Sequence, residues 1–230
     1  MTAAGKIDPS RAGSGVRLEA YLAAFAKLLE RAEATSGDGK AIAMDAATDW
    51  AIETARAAHA AGNKLMFIGN GGSAAIASHM ANDFSKNGGM RALAFNDGAF
   101  LTCLGNDYGY EHVFAKQIEF HGRKGDLLVA ISASGRSPNI LNGVKAARTC
   151  GSSVLTLSGF GADNPLRQTG DVNIYLPSGD YGPVESGHLT LLGAIRDYII
   201  SMVSPTSMLP PLSESDSPST SQARPPGCPR

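Results

Sequence analysis

The chain is poor in several things, and each shortage excludes something. Its 230 residues hold one tryptophan and three cysteines. Cys103, Cys150 and Cys228 are widely spaced, odd in number and form no C-x-x-C pair. Neither a disulfide framework nor a structural zinc knuckle is expected, and a reducing compartment is. An excess of one charge is missing too: the formal net charge is -1. That argues against a direct nucleic-acid partner and against a strongly basic membrane surface. No apolar run is long enough to span a bilayer, and MTAAGKIDPSRAGSG at the N-terminus lacks the apolar centre of a secretory signal. We therefore expect a soluble, cytoplasmic protein. Apolar residues make up 43%, enough for a sizeable core, and the length suits one domain.

Both ends read as unstructured. Residues 1–15 are small and polar. From Ser204 the composition changes to PTSMLPPLSESDSPSTSQARPPGCPR, which holds seven of the twelve prolines. Such a stretch cannot bury enough surface to offset its ordering entropy. The expected organisation is a flexible N-terminus (1–15), one folded domain (16–203) and a disordered tail (204–230). Within the domain, residues 16–35 and then MDAATDWAIETARAAHAAGN repeat apolar residues at helical spacing. Five short apolar runs follow: KLMFIG, RALAF, DLLVAIS, SVLTLS and VNIYLP. Helical patterns at Ser73–Lys86, Tyr110–His121 and Ser137–Cys150 separate them, and a long apolar helix, Val184–Val203, closes the domain. Apolar strands alternating with helices predict an α/β fold with a parallel sheet covered on both faces. Its site should lie at the carboxyl ends of the strands.

Two strand-to-helix loops look made for an anion. GNGGS, Gly69–Ser73, brings three glycines and a serine to a helix start, where free N–H groups and a partial positive charge are available. Asn70, Gly71, Gly72 and Ser73 are the candidates there, with Ser73 as the N-cap. SASGRSPN offers the hydroxyls of Ser132, Ser134 and Ser137 around Gly135, with Pro138 early in its helix. The first loop and Ala74 also satisfy G-x-G-x-x-A, but the acidic residue that follows the next strand, Asp97, comes later than the ~20 positions that a dinucleotide site asks for.

Two helix faces carry charge. His79 and Asp83 are four apart on the helix that opens at the first loop; Glu185 and His188 are three apart near the start of the last. If the helices meet, these groups can hold a divalent metal or do acid–base chemistry. Alternatively His79 and Asp83 pair locally and Glu185 favours a helix N-terminus.

GNGGSAAIASHMANDF, the FND of Phe95–Asp97, NDYGYEHVFAKQIE, GDLLVAISASGRSPNIL and VESGHLTLLG together resemble sugar isomerase (SIS) domain proteins, and among them the phosphoheptose isomerases. The resemblance covers about residues 16–203. It implies a flavodoxin-like three-layer α/β/α sandwich preceded by N-terminal helices, a homotetramer with active sites at subunit interfaces, and isomerisation of sedoheptulose 7-phosphate to D-glycero-D-manno-heptose 7-phosphate. By this resemblance Ser132, Ser134 and Ser137 hold the phosphate, with Ala133 where the family usually has threonine. Asn70, Ser73, Asn96 and Asp97 line the sugar pocket. A zinc ion would use His79, Asp83 in place of a glutamate, and Glu185 in place of a glutamine, while Gly193 stands where a second histidine is usual. That histidine and the glutamate form the family's acid–base pair, so Asp83 and His188 become the catalytic candidates here. The loss at position 193 also fits a SIS-domain protein that binds sugar phosphate or a replication initiator without turnover.

Overall fold

The computed structural model describes residues 17–203. The expected flexible N-terminus and proline-rich tail lie outside the described residues. The order begins with helix α1 (Leu18–Glu30), strands β1 (Glu33–Ser36) and β2 (Ala41–Ile42), and helix α2 (Met44–Ala60). Then follow β3 (Leu65–Ile68), α3 (Gly72–Lys86), β4 (Ala92–Ala94), α4 (Gly98–Tyr108), a 3-10 turn (Tyr110–His112) and α5 (Val113–His121). The last stretch is β5 (Leu127–Ser132), α6 (Pro138–Thr149), β6 (Ser153–Ser158), a second 3-10 turn (Pro165–Gln168), β7 (Val172–Tyr175) and α7 (Tyr181–Val203).

Seven strands form one sheet, ordered β2-β1-β7-β6-β5-β3-β4. The five strands from β3 to β7 are mutually parallel. Counted along the chain they lie 2-1-3-4-5, the flavodoxin-like order. Every residue of β3, β5 and β7 is buried, as strands covered on both faces must be. Alternation then sorts their side chains. Leu65 and Phe67 pack with Ile52, Met80, Phe84 and Ile195 under α2, α3 and α7. Met66 and Ile68 pack with Phe114, Ile118 and Ile140 under α4, α5 and α6. Each such side chain contributes about 1.5–3 kcal/mol by leaving water.

Two elements differ from the sequence expectation. The first helix stops at Glu30, and residues 33–36 instead pair antiparallel with β7, from Glu33 opposite Tyr175 to Ser36 opposite Val172. The open edge of β7 outweighs local helical periodicity, because its N–H and C=O groups need partners. The turn SGDG then folds β2 back on β1. Helix α4 also escapes periodicity, since it contains Gly98, Gly105 and Asn106, all weak helix formers. Asp97 starts it by accepting from Phe100 N at 3.0 Å.

The chain leaves β3 for β4 on one side and leaves β5 for β6 on the other. The neighbours β3 and β5 thus flank the switch point, with α3 and α6 on opposite faces. Their amino ends are clamped by the fully buried Asp126. Its carboxylate accepts from Lys64 N (2.9 Å), Lys64 Nζ (2.6 Å) and Arg123 N (2.8 Å). Removing this carboxylate strands a nearly buried ammonium. Asp126→Ala is expected to cost about 3–5 kcal/mol, read as a lower urea midpoint with an unchanged slope.

Candidate active site

At the carboxyl ends of β3 and β5 the two polar loops meet. Asn70 Nδ2 donates to Asn139 Oδ1 at 2.9 Å, and Asn139 Nδ2 donates back to Asn70 Oδ1 at 2.8 Å. Asn139 is 2% exposed and also accepts from Ile140 N. Tyr110 Oη donates to Asn70 Oδ1 at 3.1 Å from the opposite wall. Neither Asn139 nor Tyr110 was singled out from the sequence. A polar residue at the second position of a helix that follows a serine loop is the signal that points to Asn139.

The serine loop is already curved. Gly135 has φ 62°, and a Cβ there would lie 2.0 Å from Asn164 Oδ1. Glycine is therefore required twice over, by conformation and by space. Asn164 is fully buried and caps the second 3-10 turn through Arg167 N. Around this bend Ser132 Oγ accepts from Gly135 N at 3.2 Å and lies 3.3 Å from Ser137 Oγ. Ser134 Oγ accepts from Arg136 N at 3.3 Å. Ser137 is the N-cap of α6 but makes no side-chain cap bond, so its hydroxyl and the Asn139 N–H are the groups available to an anion; Pro138 has no N–H, and Ile140 N already donates to Ser137 O and Asn139 Oδ1.

The first loop is arranged differently. Gly71, not Ser73, is the N-cap of α3; Ser73 is buried in the first turn. A Cβ on Gly72 would stand 2.2 Å from Glu185 Oε2 and 2.6 Å from Oε1. The carboxylate of α7 thus rests on the backbone where α3 begins, the place an anionic ligand would otherwise take. A carboxylate is well placed there, facing the positive end of the helix. Farther out, Asn96 Nδ2 donates to Ala74 O (2.8 Å) and Ser78 Oγ (2.9 Å). Asn96 therefore ties β4 to α3, and its Oδ1 is buried without a partner.

Helices α3 and α7 run side by side in one direction. Gly72 meets Glu185 at their starts, and Asp83 meets Arg196 eleven residues later on each. Arg196 Nη1 is ion-paired with Asp83 Oδ2, while Arg196 Nη2 and Nε bond Asp197 Oδ1 at 2.7 and 3.0 Å. Burial works against the guanidinium charge, but the bonds to Asp197 and Asp83 outweigh it and raise its pKa. His79 Nε2 lies 3.5 Å from the same Asp83 oxygen, with the histidine half-exposed.

A protein-family model described as the SIS domain matches residues 20–159. A phosphoheptose isomerase of Rhodospirillum rubrum is 40% identical over 153 residues, covering 61% of this chain and 80% of that protein. The chain belongs to the phosphoheptose isomerase family. A second relative of that name, from Citrifermentans bemidjiense, is 35% identical over 162 residues, covering 68% of this chain and 84% of that protein. The solved phosphoheptose isomerase of Neisseria gonorrhoeae superposes with a TM-score of 0.68 at 33% identity, over 80% of this chain and 97% of that one. The enzyme from Francisella tularensis gives 0.69 at 26%, over 80% and 96%.

Within one subunit the expected metal ligands do not come together among the described residues. Among the described residues no three His, Cys, Asp or Glu side chains are grouped to hold a metal. Two physical reasons are visible. Glu185 sits at the start of α3, about 16 Å along the helix from Asp83 at roughly 1.5 Å per residue. Asp83 already has a cation, Arg196. A Cβ at position 193 would meet Arg196 Nη2 at 4.0 Å, an ordinary contact. Sequence spacing gave no sign of Arg196, whose partner on α3 is far away in the chain. Gly193→His combined with Arg196→Ala should raise zinc affinity at least about tenfold, read by titration calorimetry.

The catalytic expectation for His188 also needs correction. It is fully buried, its Nε2 donates to Ser158 O at 3.1 Å, and Nδ1 is buried without a partner. It has no surface to offer a sugar. Burial pushes its pKa down to about 4, only partly opposed by the bond to Ser158. The unfolded imidazole takes a proton near pH 6.5, as ordinary histidines do. Neutral His188 therefore adds stability that is complete above about pH 6.5 and is lost as pH falls through about 4, on the order of 3 kcal/mol. The urea midpoint should fall over that window, and fall less in His188→Gln.

Proposed function

We propose that this chain is a ketose–aldose isomerase that converts sedoheptulose 7-phosphate to D-glycero-D-manno-heptose 7-phosphate. The phosphate is held by Ser132, Ser134, Ser137 and the first turn of α6. The observation that carries this reading is the serine loop, bent around Gly135 and opening at the switch point where Asn70 and Asn139 lock the two loops together. An anchored phosphate lends its binding energy to orienting the reacting carbons. The sugar then extends past Asn70 toward Gly72, Ser73 and Glu185, with Asp97 at the rim. In this reading a homotetramer is the working form. Its support is α1, which buries no residue fully within the subunit and leaves Leu18, Tyr21 and Leu22 exposed. No helix of the described residues is long and apolar enough to cross a membrane, which accords with a cytoplasmic enzyme.

One observation favours a second reading, a sugar-phosphate-binding protein without turnover. Asp83, the residue at the family's base position, is held by Arg196, and position 193 has no imidazole. Affinity and turnover together distinguish the two. Ser134→Ala with Ser137→Ala removes two hydroxyls from an anion, each worth about 1.5–3 kcal/mol when charge-assisted. Affinity for sedoheptulose 7-phosphate, measured calorimetrically, should fall at least tenfold, with the melting temperature nearly unchanged. Unaltered affinity would place the phosphate elsewhere.

A further inference from the structure

We propose that the amino ends of β3, β4 and β5 carry a second binding site, one that takes a nucleoside diphosphate. It lies apart from the serine loop and does not depend on the isomerase reading. The loops that lead into these three strands close around a pocket of about 270 Å³. Asn63 and Lys64 come from the loop after α2, Arg91 from the residue before β4, and Phe120 and Arg123 from the end of α5 and the turn beyond it. Strand β5 separates this end of the sheet from the serine loop by its six residues, about 20 Å at roughly 3.3 Å each.

The first support is charge that the fold leaves over. The one acid lining the pocket, Asp126, is fully buried and ion-paired with Lys64 Nζ at 2.6 Å. Its oxygens also accept from the backbone N–H groups of Lys64 and Arg123. Arg91 and Arg123 are exposed, and among the described residues neither guanidinium has an ion pair. Two positive charges therefore face one concavity with no acid left to balance them, which concentrates anions there. Each guanidinium presents paired N–H donors that match phosphate oxygens, so two of them suit a diphosphate.

The second support is a fixed aromatic wall. Phe120 lines the pocket and is 57% exposed, whereas Val113, Phe114 and Ile118 of the same helix are buried. The ring is held in place. His121 stands perpendicular to it, with centroids 6.4 Å apart. His121 is itself stacked on Phe95 at 6.1 Å and meets Phe100 edge-on at 6.2 Å. A ring already ordered in this way gives a base a surface to stack on at little further cost. The third support is Asn63. Gly125 has φ 89°, and a Cβ there would lie 2.4 Å from Asn63 Nδ2. Glycine thus leaves the amide its place in the pocket, where its donor and acceptor can meet a base edge or a ribose hydroxyl. On a flat face the same basic and aromatic groups would suit an anionic membrane. Here they line a concavity, which a small molecule can fill and a bilayer cannot.

The test is calorimetry on the full chain with ADP and UDP, in the presence of a chelator so that no metal bridges the phosphates. One nucleotide is expected to bind per subunit, with affinity unchanged by saturating sedoheptulose 7-phosphate and by Ser134→Ala with Ser137→Ala. Arg91→Ala with Arg123→Ala is expected to weaken binding at least about tenfold, and Phe120→Ala about threefold or more. Arg91→Lys with Arg123→Lys keeps the charge but loses the paired donors, and should recover only part of the affinity. All three variants should keep the wild-type melting temperature, which separates a lost contact from a lost fold. Inorganic pyrophosphate should bind at least about tenfold more weakly than the tighter nucleotide. Pyrophosphate that binds as tightly overturns the nucleoside assignment. The site itself is overturned if neither nucleotide binds, if sedoheptulose 7-phosphate displaces the one that does, or if the double alanine variant binds as well as wild type. Capture by anionic vesicles through Arg91 and Arg123, without nucleotide binding, overturns it in favour of a membrane surface.

Discussion

The site depends on two side-chain amides holding each other. Beyond the ends of β3 and β5 there is no backbone ladder, and the chain leaves in opposite directions. The Asn70–Asn139 exchange continues the connection between the strands into the loops. Each amide uses one donor and one acceptor on the other, so a change on either side leaves a half-buried polar group unmatched. The Tyr110 hydroxyl bonds to this pair, and the serine loop and the start of α3 adjoin it on either side. With Asp126 closing the amino ends, β3 and β5 are fixed at both ends, and the crevice between them has little freedom to widen.

The second organising feature is the parallel course of α3 and α7. Because the helices advance together, their contacts sort charge along one axis. At the start, a carboxylate without a counter-ion faces the positive end of α3. At the far end, a carboxylate is neutralised by a guanidinium. Two acidic residues that look alike in the sequence therefore live in opposite settings. The first faces the crevice; the second, an ion pair on a packed interface, suits helix docking.

Much of this was legible beforehand, for identifiable reasons. Strands buried on both faces appear as continuous apolar runs, and β3, β5, β6 and β7 stand where those runs are. Glycine and serine after a strand suggest anion loops, and the serine loop bends at Gly135. What escaped was set by partners distant in the chain. Residues 33–35 lie in a run with helical periodicity but answer to the edge of β7. Helix α4 is capped by Asp97 in spite of its glycines. His188 looks like a catalytic imidazole beside Glu185, yet one helical turn swings it from the crevice into the core, onto the Ser158 carbonyl. Arg196 could not be paired with Asp83 by spacing, because only the alignment of two helices brings them together.

The contact between Gly72 and Glu185 bears on how such sequences can diverge. One volume is shared by two positions, so a side chain gained at 72 must be accompanied by a shorter or reoriented residue at 185. Among relatives, these positions should change as a linked pair rather than singly.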